Sequence, residues 1–170
     1  IKALKRIRQD AKIKGAIVRI DSPGGSALAS EVIWQALRQT ANDKPVFVSL
    51  GNTAASGGYY IACAGDQIYA GAPSIVGSIG VVGGKLAMGG LYDKVGIHVT
   101  QRTRGPLGGV FNSAEPFTAD ERKAVRASLK RVYEQFLDTA DRMVITEIPE
   151  RPDGDVRFPE WDAESWTEVD

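Results

Sequence analysis

Residues 53–58 read TAASGG and set Ser56 between two alanines and two glycines, directly after the apolar run VFVSL. A serine there is either a small packing residue at a strand-to-helix junction or a nucleophile whose neighbours are small enough to admit a substrate. A second break, SPGGS, follows the apolar stretch GAIVRID and carries Gly24 and Gly25. Backbone N–H groups at helix starts can stabilise an oxyanion, and glycine lets a substrate backbone approach closely. Acyl transfer is the chemistry such a pair of breaks would serve. Phosphate binding is the competing use, but neither break holds the phosphate-loop lysine, and GSIGVVGG opens no dinucleotide unit with an acidic residue after the next strand.

A serine nucleophile needs a base. His98 is the only histidine. In GIHVTQ it alternates with Ile97 and Val99 as an outward-facing strand residue would, which reads as a surface histidine. A lysine in an apolar site is the other familiar base, because burial favours its neutral form. Cys63, the only cysteine, lies in YYIACAG and reads as a small hydrophobe in a buried helix. One cysteine and one histidine exclude an internal disulfide and a Cys/His zinc site. No metal and no cofactor are expected.

The elements that must position these residues follow from periodicity. Residues 1–12 place Ile1, Leu4 and Ile7 at helical spacing among basic residues, as a half-exposed helix does. GAIVRID is a strand, SPGGS a turn, and ALASEVIWQALRQTA a helix with Leu28, Val32, Ile33 and Leu37 on its expected core face. KPVFVSL, GNTAASGG and YYIACAGD repeat the order, and QIYAG is the next strand. Apolar strands alternating with helices indicate an α/β fold with a largely parallel sheet. Beyond APSIVGSIGVVGG, the stretch LYDKVGIHVTQ predicts a short helix followed by a strand. FTADERKAVRASLKRVYEQFLDTA is the longest helix, opened by a Thr118/Glu121 capping box and carrying a Val125, Leu129, Val132 and Phe136 stripe.

At 170 residues, 43% of them hydrophobic and 25% charged, the chain has the length and composition of a soluble globular domain. Its 21 basic residues balance 21 acidic ones, so nucleic acid is not an expected partner. No run approaches the roughly 20 apolar residues of a membrane span and no leader pattern opens the text, so the segment itself is expected to be soluble. It begins at Ile1 inside a helical pattern, which suggests that the natural start lies further upstream.

IDSPGGS, GNTAASGGYYIA, VGSIGVVGG and YDKVGI, in this order, resemble the signal peptide peptidase A and protease IV family of serine peptidases. The resemblance covers roughly residues 1–140 and implies a Clp protease/crotonase-like fold, a spiral of ββα units. It implies Ser56 as nucleophile, the backbone amides of Gly24, Gly25 and Gly57 as the oxyanion hole, and Ser78 as a serine that helps hold the lysine base. The position nearest the expected lysine is Gly108, while Lys85 and Lys94 lie where the family places no base and read as surface lysines. Double-length relatives carry the nucleophile in the second domain and the lysine in the first. This chain resembles the second half, so its base is expected from another domain or subunit.

The same resemblance implies a peptide substrate, remnant signal peptides or other unfolded apolar peptides. It also implies a homo-oligomer or a lysine-bearing first domain as partner, and a bacterial cytoplasmic membrane location through parts outside this segment. A catalytically inactive structural or peptide-binding half-domain is the alternative. An acyl-CoA hydratase or isomerase would share the oxyanion hole, but such enzymes usually place carboxylates over the thioester and no acidic residue accompanies TAASGG.

From about Met143 the composition changes, with three prolines, two of the three tryptophans and an acidic bias. Two regions are expected, a peptidase-like domain over 1–140, incomplete at both ends, and a tail over 141–170. The tail, with RMVITEI, a GD loop, FPEWD and a following SW, resembles a carboxyl-terminal segment of dihydrofolate reductase, where Thr146 would match the pterin-site threonine. It lacks that family's amino-terminal sheet, carboxylate and NADPH-binding glycines, so reductase activity is not implied. A join near residues 139–142 fits a fusion, an assembly artefact or a chance likeness.

Overall fold

A computed structural model describes residues 1–141 and 145–147. Most of the expected tail, including its prolines and tryptophans, lies outside the described residues. The described residues divide into two compact units, residues 1–80 with those described from Phe136 to Glu147, and Val81–Gln135. No helix among the described residues is long and apolar enough to cross a membrane.

The first unit is built on strands β1 (Ala16–Ser22), β2 (Val46–Ala55), β3 (Gln67–Ala70) and β4 (Ile75–Gly77), with helix α1 (Lys2–Gln9) before β1 and helices α2 (Ala27–Ala41) and α3 (Gly57–Ala62) following β1 and β2. Every pairing described is parallel, which makes this the α/β architecture with a parallel sheet that the alternating pattern predicts. β5 (Ile145–Glu147) adds to β3, giving the order β1-β2-β3-β5, with β4 also beside β2. β-branched and apolar residues fit a sheet buried on both faces. Ile20, Val48, Leu50, Ala54, Ala62, Ile68 and Ala70 form one core cluster, while Ala16, Leu37, Val46 and Ala64 form a second on which Leu4 and Ile7 of α1 pack. Each fully buried aliphatic side chain contributes about 1.5–3 kcal/mol.

β2 changes neighbours halfway along. Phe47, Val48 and Ser49 pair with β3, whereas Thr53, Ala54 and Ala55 pair with β4. On its other edge the register with β1 breaks at the same place: Ile20 pairs with Leu50 but Ser22 pairs with Ala54. Gly51, Asn52 and Thr53 therefore stand against Asp21 alone, a bulge in β2.

α2 begins where the SPGGS turn predicts, with Ser26 Oγ accepting the Ala29 N–H at 3.3 Å. Its inward face keeps the expected Leu37 but otherwise differs from the expected one. Ser30, Leu37 and Thr40 are buried, whereas Leu28 is 75% exposed and Val32 45% exposed. The reason is the partner: α2 lies on α3, whose first residues are glycines, and a Cβ placed on Gly57 would collide with Ser30 Oγ. Backbones that close require a small residue on the facing helix, so Ser30 rather than Leu28 turns inward.

In the second unit α4 (Gly89–Lys94) forms as expected, but residues 97–100 are not a strand. Among the described residues no strand pairs with them, and an alternating apolar pattern needs a ladder partner to become a strand. The long helix α5 (Ala119–Ala140) carries the capping box: the Thr118 N–H donates to Glu121 Oε2 at 3.0 Å, and the Glu121 N–H to Thr118 Oγ1 at 3.2 Å. Val125, Leu129 and Val132 are half-buried and Phe136 is buried, the stripe its spacing predicts.

Lys85 departs from its reading as a surface lysine. Its side chain is only 9% exposed, with Nζ 3.8 Å from Glu121 Oε2, 3.3 Å from the Gly109 carbonyl and 4.5 Å above the centre of the Phe117 ring. The signal missed was Glu121, which serves as capping residue and counter-ion at once. Lys94 and His98 are exposed, as read.

Candidate active site

Ser56 sits where β2 runs into α3. Its backbone adopts φ +49° and ψ −118°, a conformation that a residue with a Cβ rarely takes. Two main-chain bonds hold it there: the Ser56 N–H donates to the Gly77 carbonyl at 2.8 Å, and its carbonyl accepts the Tyr60 N–H at 2.9 Å. Its hydroxyl makes no capping bond to the helix behind it.

The SPGG turn at the end of β1 lies directly against this corner. A Cβ added at Gly24, where φ is +101°, would stand 2.7 Å from the Gly57 nitrogen and 2.7 Å from Ser56 Cβ. From the other side, a Cβ on Gly57 would lie 3.4 Å from the Gly25 nitrogen and 3.5 Å from Gly24 Cα. Three of the expected oxyanion residues are thus gathered around Ser56 by van der Waals contact of main chain on main chain. Only glycine fits at Gly24, where the Ser56–Gly57 corner leaves no room for a side chain and φ is left-handed, and at Gly57, where a Cβ would collide with Ser30 Oγ.

The amides are not equivalent. The Gly24 N–H is taken by Ser22 Oγ at 3.1 Å, within the turn itself. Gly57 occupies the first helical position of α3, so its N–H has no carbonyl to meet inside the helix. A Cβ added at Gly25 would meet nothing within 4 Å.

Ser78 enters through β4. The pairing of Ala55 with Gly77 sets Ser78 alongside Ser56, and Ser78 itself is exposed with φ +52°. Behind the corner, Tyr60 is buried between Trp34 and Phe136, its hydroxyl donating to Glu31 and accepting from Thr139 Oγ1 at 3.4 Å. Cys63, at the far end of α3, is buried with its thiol pushed up to about 12 by desolvation. That agrees with an inert, hydrophobe-like cysteine.

Gly108, the position nearest the expected lysine, lies against residues 103–104: a Cβ there would be 2.7 Å from Thr103 Cβ. Sequence reasoning also passed over Asp21 and Ser74, which hold the bulge leading to Ser56. The Thr53 N–H donates to Asp21 Oδ1 at 3.0 Å, and Ser74 Oγ donates to the Gly51 carbonyl at 2.8 Å. Asp21 stood inside the quoted IDSPGG motif, but nothing in a single sequence announces a bulge.

The chain is similar to proteins of known family. The serine protease SPPA of Arabidopsis thaliana chloroplasts is 38% identical over 141 residues, 82% of this chain and 21% of that protein. Protease 4 of Haemophilus influenzae is 32% identical over 140 residues, 82% of this chain and 23% of that protein. The chain therefore spans little more than a fifth of the length of these relatives. Among solved structures, an enoyl-CoA hydratase/carnithine racemase from Magnetospirillum magneticum covers 82% of this chain and 67% of its own at 15% identity, with a TM-score of 0.37. A score that low marks a faint likeness. The profile of Peptidase family S49 matches residues 38–147, which takes in Ser56, Gly57 and Ser78, and the chain belongs to that family.

Proposed function

We propose that this chain is the nucleophile-bearing part of a serine endopeptidase that cleaves remnant signal peptides or other unfolded, apolar peptides. The observation that carries the proposal is the close contact between the SPGG turn and the Ser56–Gly57 corner, which holds a half-buried serine in a strained backbone conformation beside main-chain donors. Ser56 Oγ attacks the scissile carbonyl while a neutral lysine takes its proton. Negative charge on the carbonyl oxygen is met by the N–H groups of Gly57 and of the Gly24–Gly25 turn, where Gly25 is the better placed because the Gly24 N–H is engaged by Ser22. The C–N bond breaks as the amine leaves with the lysine's proton, and water then hydrolyses the ester on Ser56. Ser78, beside Ser56 through the β2–β4 pairing, is assigned to holding the lysine.

The lysine comes from another domain or subunit in this reading, which is supported by the glycine at position 108 and by the engagement of Lys85 with Glu121. The same observation favours a second reading, a half-domain that binds peptide or supports assembly without turnover. Membrane association would come through parts of the protein outside this segment.

A fluorophosphonate probe together with an unfolded apolar peptide tests both readings, on the chain alone and mixed with a lysine-bearing domain from the same source. Labelling at Ser56 with peptide cleavage only in the mixture supports the split site. No labelling of Ser56 in the mixture, with both partners folded, refutes the nucleophile and leaves the second reading.

A further inference from the structure

We infer that Asp21 is a positioning residue for Ser56, acting by clamping the bulge in β2 that brings the serine opposite the SPGG turn. The inference rests on the reading of Ser56 as the nucleophile. Along the first half of the β1–β2 pairing, Ala16 meets Val46 and Ile20 meets Leu50; past the bulge, Ser22 meets Ala54. Carried two residues further, the second register sets Gly24 against Ser56, where a Cβ on Gly24 would lie 2.7 Å from Ser56 Cβ. Carried on unbroken, the first register would set Gly24 against Ala54 instead. The serine would then stand two residues, roughly 6–7 Å, past the turn that is to supply its oxyanion donors.

The bulge is held from both edges. On the β1 side, Asp21 Oδ1 accepts the Thr53 N–H at 3.0 Å, so a side chain does the work of a ladder carbonyl. On the other side, Ser74 Oγ donates to the Gly51 carbonyl at 2.8 Å, in the gap between the stretches of β2 that pair with β3 and β4. Gly51 is glycine for the same reason, since a Cβ there would lie 2.6 Å from Asp21 Cγ and 2.7 Å from its Oδ2. The carboxylate occupies the space that a side chain at 51 would fill. Asp21 thus acts through the backbone, as a hydrogen-bond acceptor, and its charge is not required.

That distinction sets the test. Asp21→Asn keeps an Oδ1 acceptor, whereas Asp21→Ala removes it. The inactivation rate of Ser56 by fluorophosphonate, divided into maximal rate and half-saturating concentration, is measured for the chain with its lysine-bearing partner, beside amide hydrogen exchange at Thr53 and Ser56. Asp21→Ala is expected to lower the maximal rate about 10- to 100-fold, the scale set by misplacing a reacting group by about an ångström, with half-saturation little changed. Exchange at Thr53 and Ser56 is expected to quicken, and Asp21→Asn to restore the rate to within a few-fold of the original protein. An unchanged rate in Asp21→Ala overturns the inference, and so does an Asp21→Asn variant as slow as Asp21→Ala. Should Asp21→Ala fail to fold, Ser74→Ala releases the other edge alone. A several-fold lower maximal rate then supports the clamp, and an unchanged rate overturns it. If the unaltered protein is not labelled, it is the nucleophile reading that has failed, and the exchange rate of the Ser56 amide in Asp21→Ala still decides whether the clamp exists.

Discussion

Replacing Ser56 by glycine should make the protein more stable while abolishing any acylation at that position. The φ of +49° at Ser56 costs about 1–3 kcal/mol for a residue with a Cβ. Glycine takes the same angles freely, but its unfolded chain is more flexible, which costs about 0.4–1 kcal/mol. Both main-chain bonds, to the Gly77 carbonyl and from the Tyr60 N–H, survive the change, and no capping bond of the hydroxyl is lost. The net expectation is a gain of about 1 kcal/mol, or about 2–4 °C in the melting midpoint for a chain of this size. Ser56→Ala is the matched control, because it removes the hydroxyl but keeps the Cβ and hence the strain, and should fall within about 0.5 kcal/mol of the original. Urea titrations followed by circular dichroism compare the three proteins, with fluorophosphonate labelling run in parallel. A Ser56→Gly protein no more stable than Ser56→Ala would show that the corner is not strained, and would remove the main physical argument that this serine is held for chemistry.

Two further outcomes follow from buried groups. Cys63, with its thiol pushed up to about 12 from 9.0, should resist iodoacetamide in the folded protein at pH 8 and react readily in urea. The folded state keeps this proton after the unfolded state has lost it, so the associated stability is intact below pH 9 and is lost between pH 9 and about 12; a Cys63→Ala variant should show a shallower alkaline decline in urea midpoint. Lys85→Ala should destabilise the chain by about 2–3 kcal/mol, below the usual cost of breaking a buried pair because Glu121 retains the Thr118 N–H. Lys94→Ala, at an exposed position, should stay within about 0.5 kcal/mol, and equal urea midpoints for the two lysine variants would refute the difference.

The parts of the fold legible from sequence are those set by local rules. VFVSL and AIVRI are strands because β-branched and apolar runs bounded by glycine and proline have few other uses, and Ser26 and Thr118 start helices because their side chains accept helix N–H groups. The gathering of Gly24, Gly25, Gly57 and Ser56 was also legible, since parallel strands bring their carboxyl ends to one edge. What stayed hidden depends on contacts distant in sequence. The Lys85–Glu121 pair joins the irregular stretch before α4 to the first turn of α5, and the stretch around His98 has strand composition without a strand beside it. The bulge at Gly51 exists only in the relation of β2 to Asp21 and Ser74.

The misread face of α2 and the crowded corner at Ser56 have one cause. The SPGG turn, β2 and the start of α3 approach one another without intervening side chains at Gly24 and Gly57, which is the arrangement the proposed reaction would need for a main-chain donor beside Ser56. The helix that follows the turn inherits the constraint: at its first turn it must offer Ser30, whose Oγ bonds back to the Ser26 carbonyl at 3.0 Å and so brings no unsatisfied group into the contact. With Ser30 facing inward, helical geometry carries Leu28 and Val32 to the outside, where hydrophobic periodicity alone would not place them. Apolar residues exposed beside a tightly packed corner are therefore a consequence of bringing backbones together. Leu37, further along α2, is buried in the apolar core as burial rules predict, but at the first turn the inward residue is set by the space that glycine leaves.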